Sequence, residues 1–358
     1  LRSITSSGGS SVGIALSNTG SEGGLVVKGN GSPGSGGSIS NKSGSDASEL
    51  TAGSGIVLQD TAGVSLRWMH LSGFSNSGII GRNVTDFVLQ DSVLDGVIGD
   101  NAAAVEAPIV LGLPGPAFAN GLQGNSLIRN VRISGGVEHN LEIYNQSGTM
   151  ALLIDGTLAV SEGDDSLDPA DDVAACSIDG AAVDGIQIET RGTAVSTIDI
   201  ERCLFRDNAS QAVQASVLED AVASVRISES FARRLTAGNE GFVIQNGGNA
   251  RLATQITGNT LNNFGGTSIF VGQVPGNANA LPGDAVGLIA RIDGNTVSAP
   301  ATATNHAIIA YLTSTISQVS RAHVVIEGNT VLMEGATRPI LVDTPDANTT
   351  PMFSATVR

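Results

Sequence analysis

Three stretches of the chain, LATQITGNTLNNFG (252–265), GLIARIDGNTVSAP (287–300) and AHVVIEGNTVLMEG (322–335), share one order of apolar and polar positions. Each has an apolar anchor, a polar residue after it, Asn three places on and another apolar residue five places on. Extending that frame along the chain places anchors at Val27, Leu66, Leu89, Ile128, Ile154, Ile178, Ile200, Ile227, Ile256, Ile292 and Ile326, spaced 22 to 39 residues apart. Spacing this variable excludes fixed-length helical repeats. From Leu66 on, the residue two before each anchor is mostly apolar (Val64, Phe87, Leu152, Cys176, Ile198), and the residue after it is never apolar (Arg67, Gln90, Arg129, Asp155, Asp179, Glu201). That alternation is the period of a strand with one buried and one wet face. A further inward column, Leu71, Leu94, Ile133, Ala159, Val183, Phe205, Ala232, Leu261, Val297 and Val331, follows five residues after the anchors, so the chain turns a corner in between.

Each repeat also contains a second short apolar segment, such as GIVL (55–58), NLEI (140–143), GIQI (185–188) and AIIA (307–310). Segments this short cannot bury a face alone, but stacking repeat on repeat gives every strand a parallel neighbour and a common interior. The expectation is an all-β, single-stranded parallel β-helix, a solenoid of about eleven turns with variable loops. With strands about 4.7–4.9 Å apart, it would be a rod of roughly 50 Å. The column holding Asn259, Asn295 and Asn329 should form a ladder at the corner, where an amide can satisfy bent backbone and tolerate left-handed dihedrals.

The stretches GLVVKGNGSPGSGGSISNKSG, GIVLQDTAGVSLRWMHLSGF, GIIGRNVTDFVLQDSVLDG and GFVIQNGGNARLATQITGNTL resemble the right-handed parallel β-helix repeats of the pectin-lyase-like superfamily. They are most similar to β-helix regions of large secreted or surface-anchored bacterial proteins. The resemblance implies right-handed winding and one continuous solenoid over residues 1–358, as a piece of a larger chain. It implies no single activity, because that superfamily includes lyases, hydrolases, adhesins and stalks.

Composition changes this picture in two respects. The formal charge of −16 disfavours nucleic acid and anionic lipid surfaces, and no apolar run is long enough for membrane insertion. Only twelve aromatic residues are present, with Trp68, Tyr144 and Tyr311 far apart in the count of turns, so a sugar-stacking platform is thin. Cys176 and Cys203 fall in different columns of this frame, too far apart to bridge, and are expected to be buried unpaired thiols.

Candidate chemistry is mostly acidic. Asp155, Asp179 and Glu201 would occupy one outward column on successive turns, about 5 Å apart, as a cation- or carbohydrate-binding cluster or a carboxylate pair for glycoside hydrolysis. The loop SEGDDSLDPADD (161–172) offers Asp164, Asp165 and Asp168 as metal ligands, with Ca²⁺ the one cofactor such oxygens suggest, although an EF-hand spacing is missing. In DGIQI (184–188), Asp184 matches the first aspartate of the polygalacturonase motif, but Gln187 replaces the second, the following Asp pair is reduced to Asp207, and no Arg-x-Lys motif exists. Lyase chemistry would need an arginine such as Arg129, Arg226 or Arg291, and none has a partner constellation. His139 is expected to be a turn residue. Apolar Val88, Leu127 and Leu153 lie on an outward column, and the insertion 100–125 is expected to fold over them.

The expected function is therefore a noncatalytic structural or adhesive module of a bacterial extracellular or cell-surface protein. Its partners would be neighbouring repeats or further subunits stacked at the open ends. The alternatives are a polysaccharide lyase or hydrolase, and a calcium-dependent carbohydrate-binding surface.

Overall fold

The structure is a computed structural model that describes residues 1–357 apart from Ala103, Asn239 and segments 115–118, 161–173, 274–285, 301–305, 312–320, 334–338 and 344–351. The described residues are nearly all β. The one helical element among them is a 3₁₀ turn, Asp46–Ser48. Eleven strands, from Ser6–Ser7 to Thr330–Met333, form a corner sheet. Eleven more, from Ile14–Thr19 to Ile340–Asp343, form a flank sheet, and a third eleven, from Val26–Val27 to Met352–Val357, an anchor sheet. Flank and anchor sheets are continuous through Leu122–Arg129, which pairs with Ile79–Thr85 in one and with Thr149–Asp155 in the other. The chain visits corner, flank and anchor sheets in rotation, and successive strands of each sheet pair in parallel, the arrangement of a parallel β-solenoid.

The core is a set of vertical columns. In the anchor sheet Leu66, Leu89, Ile128, Ile154, Ile200, Ile227, Ile256, Ile292 and Ile326 stack in register, all essentially buried. Each such side chain contributes about 1.5–3 kcal/mol by leaving water. Val357 continues the column beyond Ile326. Ile178 does not belong to it. Its register partners are Ile133 and Phe205, so it is the corner-sheet residue of the same circuit as Ile154. It fills the place the sequence frame gave to Ala159, which is exposed, and Val183, which lies in a loop. The cause is the position of the long excursion after Asp155: it interrupts the corner itself, so a frame built on regular corners counts one circuit as two.

This shift overturns the expectation for the cysteines. Cys176 and Cys203 are register partners, 4.8 Å apart at Cα, and form a disulfide between adjacent circuits. It clamps the strand that re-enters after the excursion.

At the corners, the left-handed residue is the one before the Asn column. Gly258, Gly294 and Gly328 have φ between 64° and 66°, and Arg202 and Glu229 adopt φ 51° at the same place in earlier circuits. The Asn residues then tie the circuits together. The N–H of Asn259 donates to Asn295 Oδ1 at 3.0 Å, and that of Asn295 to Asn329 Oδ1 at 3.0 Å. Their Nδ2 groups donate back to the carbonyls of the preceding anchors, Asn259 to Ile227, Asn295 to Ile256 and Asn329 to Ile292. Serine extends the ladder: Ser230 N–H donates to Asn259 Oδ1, and Cys203 N–H donates to Ser230 Oγ.

The insertion after Gly99 also departs from expectation. Its described residues Val105 and Ala107 pack with Val57, Ile80 and Val110 outside the flank sheet. Val88, Leu127 and Leu153 are register neighbours on the anchor sheet and half-buried, and Leu127 and Leu153 line a depression of about 320 Å³. The hydrophobic outer surface of the flank sheet attracts the loop instead.

Candidate functional site

The predicted carboxylate column is only partly assembled. Asp155 and Glu201 are register partners in the anchor sheet, whereas Asp179 lies in the corner sheet beside Arg206. Arginines occupy the gaps between the acids. Arg129 Nε donates to Asp155 Oδ2 at 3.0 Å, and Arg202 Nη2 reaches Asp155 Oδ1 at 2.5 Å and Glu201 Oε2 at 3.3 Å. Arg226 binds both Asp199 and Glu201, Arg291 binds Asp293 and Glu327, and Arg206 Nη2 donates to Asp179 Oδ2 at 2.7 Å. Burial raises the Asp179 pKa, against the pull of Arg206. These side chains are cross-links between circuits. Asp164, Asp165 and Asp168 lie outside the described residues.

The chemically richest cluster surrounds His139 instead. The strand Leu141–Asn145 pairs with Ile109–Leu111 and Ile186–Thr190 in the flank sheet. Leu141 and Ile143 enter the core, so alternation points Glu142 and Tyr144 outward. Both are nevertheless buried, at 1% and 4% exposure. Just upstream, Asn140 Oδ1 accepts the Gly136 N–H at 3.1 Å and its Nδ2 donates to the Asp179 carbonyl at 2.8 Å, folding 136–140 tightly. A Cβ at Gly136 would stand 2.1 Å from the His139 carbonyl oxygen, so the approach requires glycine.

This loop brings His139 against Asp184 of the next circuit. Nδ1 lies 3.3 Å from Asp184 Oδ2, and the Asp184 N–H donates toward Nδ1 at 3.2 Å. Asp184 Oδ1 accepts the Gln211 N–H at 2.8 Å, which fixes the carboxylate. On the other side of the ring, Nε2 is 3.7 Å from Glu138 Oε1. Tyr144 donates its hydroxyl to Glu142 Oε2 at 2.9 Å. Glu142 Oε1 and Glu138 Oε2 have no hydrogen-bond partner among the described residues. Ligand atoms of Glu138, His139 and Glu142 lie within 4.8 Å of one another.

The electrostatics follow from burial of three acids around one base. Desolvation pushes the Glu142 carboxyl up to about 7, reinforced by Glu138 and Asp184 and opposed by His139. Desolvation likewise raises Glu138, with His139 and the Glu106 backbone N–H opposing. Burial alone would lower the His139 pKa, but the Asp184 hydrogen bond and the fields of Glu142, Asp184 and Glu138 outweigh it and raise it. Burial and Glu142 raise Tyr144, which keeps its phenol protonated as a donor. The group can therefore share protons near neutrality or hold a cation through mixed nitrogen and oxygen donors.

A second acidic group, Asp46, Asp100 and Glu106, is of another kind. Glu106 Oε2 accepts the N–H groups of Asp100 and Asn101, and Asn101 Nδ2 donates to Asp46, so it clasps two loops together.

The sequence frame passed over the His139 cluster because Glu142 and Tyr144 look like ordinary outward residues. One signal was present. Leu141 pairs with Ile186, so His139 and Asp184 hold the same place, two residues before the flank strand, in successive circuits. No family model, curated protein or solved structure matches the chain.

Proposed function

We propose that this chain is a right-handed parallel β-helix of about eleven turns, of the pectin-lyase-like kind, serving as a noncatalytic structural or adhesive module of a bacterial extracellular or cell-surface protein. Crossovers between parallel strands of one sheet are right-handed in about 98% of cases, which supports the winding. The observation that carries the functional reading is the use of the outer carboxylates. Asp155, Asp199, Glu201, Asp293 and Glu327 are each bound to an arginine. These five acids brace the stack instead of standing free as a pair of the kind that glycosidic chemistry uses. The disulfide fits an oxidising compartment, where such bonds persist. The last anchor strand pairs on one side with Arg321–Glu327, and its other edge would accept further circuits or another subunit.

The test is incubation with acidic and neutral polysaccharides, reading new reducing ends and unsaturated products, together with glycan binding with and without EDTA. No turnover is expected, and any binding should survive EDTA. Turnover abolished by Glu142→Gln would establish the enzyme reading in its place, and EDTA-sensitive glycan binding would establish the calcium-dependent surface.

A further inference from the structure

We infer that Glu138, His139 and Glu142 form a binding site for a divalent first-row transition cation of the Zn²⁺ class, with His139 Nε2 and one oxygen from each glutamate as ligands. This inference is independent of the noncatalytic reading above. It rests first on the orphaned oxygens. A carboxylate oxygen buried without a partner loses its hydration without compensation. Glu142 is 1% exposed, and its Oε1 is in that condition beside an imidazole and a second glutamate. A cation among them gives that oxygen its missing partner.

Geometry supports the same assignment. Tetrahedral ligands about 2.0–2.1 Å from zinc lie roughly 3.3–3.4 Å from one another. His139 Nε2 and Glu138 Oε1 are 3.7 Å apart and the ligand atoms of all three residues lie within 4.8 Å of one another, so side-chain rotation of the two glutamates closes the shell. The outer partners also fit. Asp184 Oδ2 stands 3.3 Å from His139 Nδ1; in the tautomer with the proton on Nδ1, the ring donates to that carboxylate in place of accepting the Asp184 N–H, and the Nε2 lone pair is left for metal. Tyr144 donates to Glu142 Oε2, which leaves Oε1 as the ligating oxygen. Entry is from the Glu138 side, whose side chain is 25% exposed while that of His139 is 6% exposed.

The donor set selects the ion. Ca²⁺ and Mg²⁺ favour shells of oxygen alone, at higher coordination numbers than three protein ligands can readily supply. One imidazole with two carboxylates suits Zn²⁺, Mn²⁺ or Co²⁺, and water would fill the remaining position. The site joins the 136–140 loop to the flank sheet, so the ion would act as a pin between a loop and the stack.

The experiment is calorimetric titration of the chelator-stripped chain with ZnCl₂ at neutral pH, beside CaCl₂ and MgCl₂. One equivalent of Zn²⁺ should bind, raise the melting temperature and be unaffected by excess Ca²⁺ or Mg²⁺. His139→Gln and Glu142→Gln should abolish that equivalent, while Asp184→Asn, removing a positioning residue, should weaken it by about tenfold to a hundredfold. His323→Ala, on the exposed anchor face, should leave it unchanged. Absence of binding, Zn²⁺ binding that persists in His139→Gln and Glu142→Gln, or equally tight Ca²⁺ binding would overturn the assignment. Should the variants misfold, ¹⁵N spectra of the histidine rings in the unmodified protein decide it: Zn²⁺ must shift His139 Nε2, and a shift confined to His70, His306 or His323 rejects the site.

Discussion

The corners near Asn259, Asn295 and Asn329 and the corner near Cys176 solve the same problem by different chemistry. In the later circuits a left-handed glycine turns the chain, and a buried amide then satisfies the N–H of the circuit before it and the carbonyl of an anchor. In the middle of the molecule the excursion after Asp155 takes the corner's place. There Arg202 turns left-handed and reaches back to the Gly156 carbonyl at 2.7 Å and to Asp155, while the disulfide joins the two corner strands. The stack needs each corner's polar groups satisfied and its strand held in register. It does not need one residue type to do so.

Four measurements test that contrast. The largest effect is expected from Cys176→Ala/Cys203→Ala or from reduction, because a closed loop with a separation of 27 residues stabilises the fold by about 3–4 kcal/mol in the chain-entropy model. Hydrogen exchange should localise the loss to circuits flanking the excursion and spare the asparagine corners. Uniform loss would erase the distinction between the two regions. The His139 cluster comes next, measured in chelator-treated protein. The Glu142 pKa is about 7 when folded and 4.5 in its ordinary state, so the native chain holds a proton that the unfolded chain releases between those values. Stability should therefore fall as pH rises from about 4.5 to about 7, by as much as about 3 kcal/mol. The raised His139 pKa acts in the same direction, its contribution being present below pH 6.5 and lost as pH passes the folded value. Glu142→Gln should flatten the profile, and a profile of unchanged slope in that variant would refute the assignment.

Asn295→Ala removes the two bonds its Oδ1 accepts from Asn259 N–H and Nδ2 and strands the Ile256 carbonyl, at a cost of about 2–3 kcal/mol. Asn329→Ala, less buried, should cost about 1 kcal/mol by urea unfolding. Equal losses would mean that the ladder does not depend on burial. The smallest effect belongs to Arg202→Gly, where relief of the left-handed backbone offsets lost partly exposed ion pairs and leaves a net change within about 1 kcal/mol. A loss several times larger would make the arginine bridge the true counterpart of the amide ladder.

The columns were legible because burial imposes them on every circuit: an apolar residue is required wherever Leu66 or Ile256 stacks, and alternation reveals it. The corner amides were legible for the same reason, since Asn259, Asn295 and Asn329 recur in one setting. What local pattern cannot show is where an excursion leaves the stack. Ile178, flanked like an anchor by Cys176 and Asp179, satisfies the anchor rule and the corner-strand rule equally well, and only pairing with Ile133 and Phe205 chooses between them. That one ambiguity concealed the disulfide and misplaced Asp179. The His139 cluster was hidden differently. Its members come from a loop, a flank strand and the next circuit's loop, so they meet only once the flank register is known.

The excursion between Asp155 and Cys176 has a practical corollary. Register on either side is set by Thr149–Asp155 pairing with Val195–Glu201 and by the covalent staple at the point of return. The length of what is spliced between them is thereby uncoupled from the alignment of everything after it. A foreign peptide or small domain grafted there would hang from the side of the rod, leaving the rest of the scaffold undisturbed, which makes this the natural place to attach a cargo.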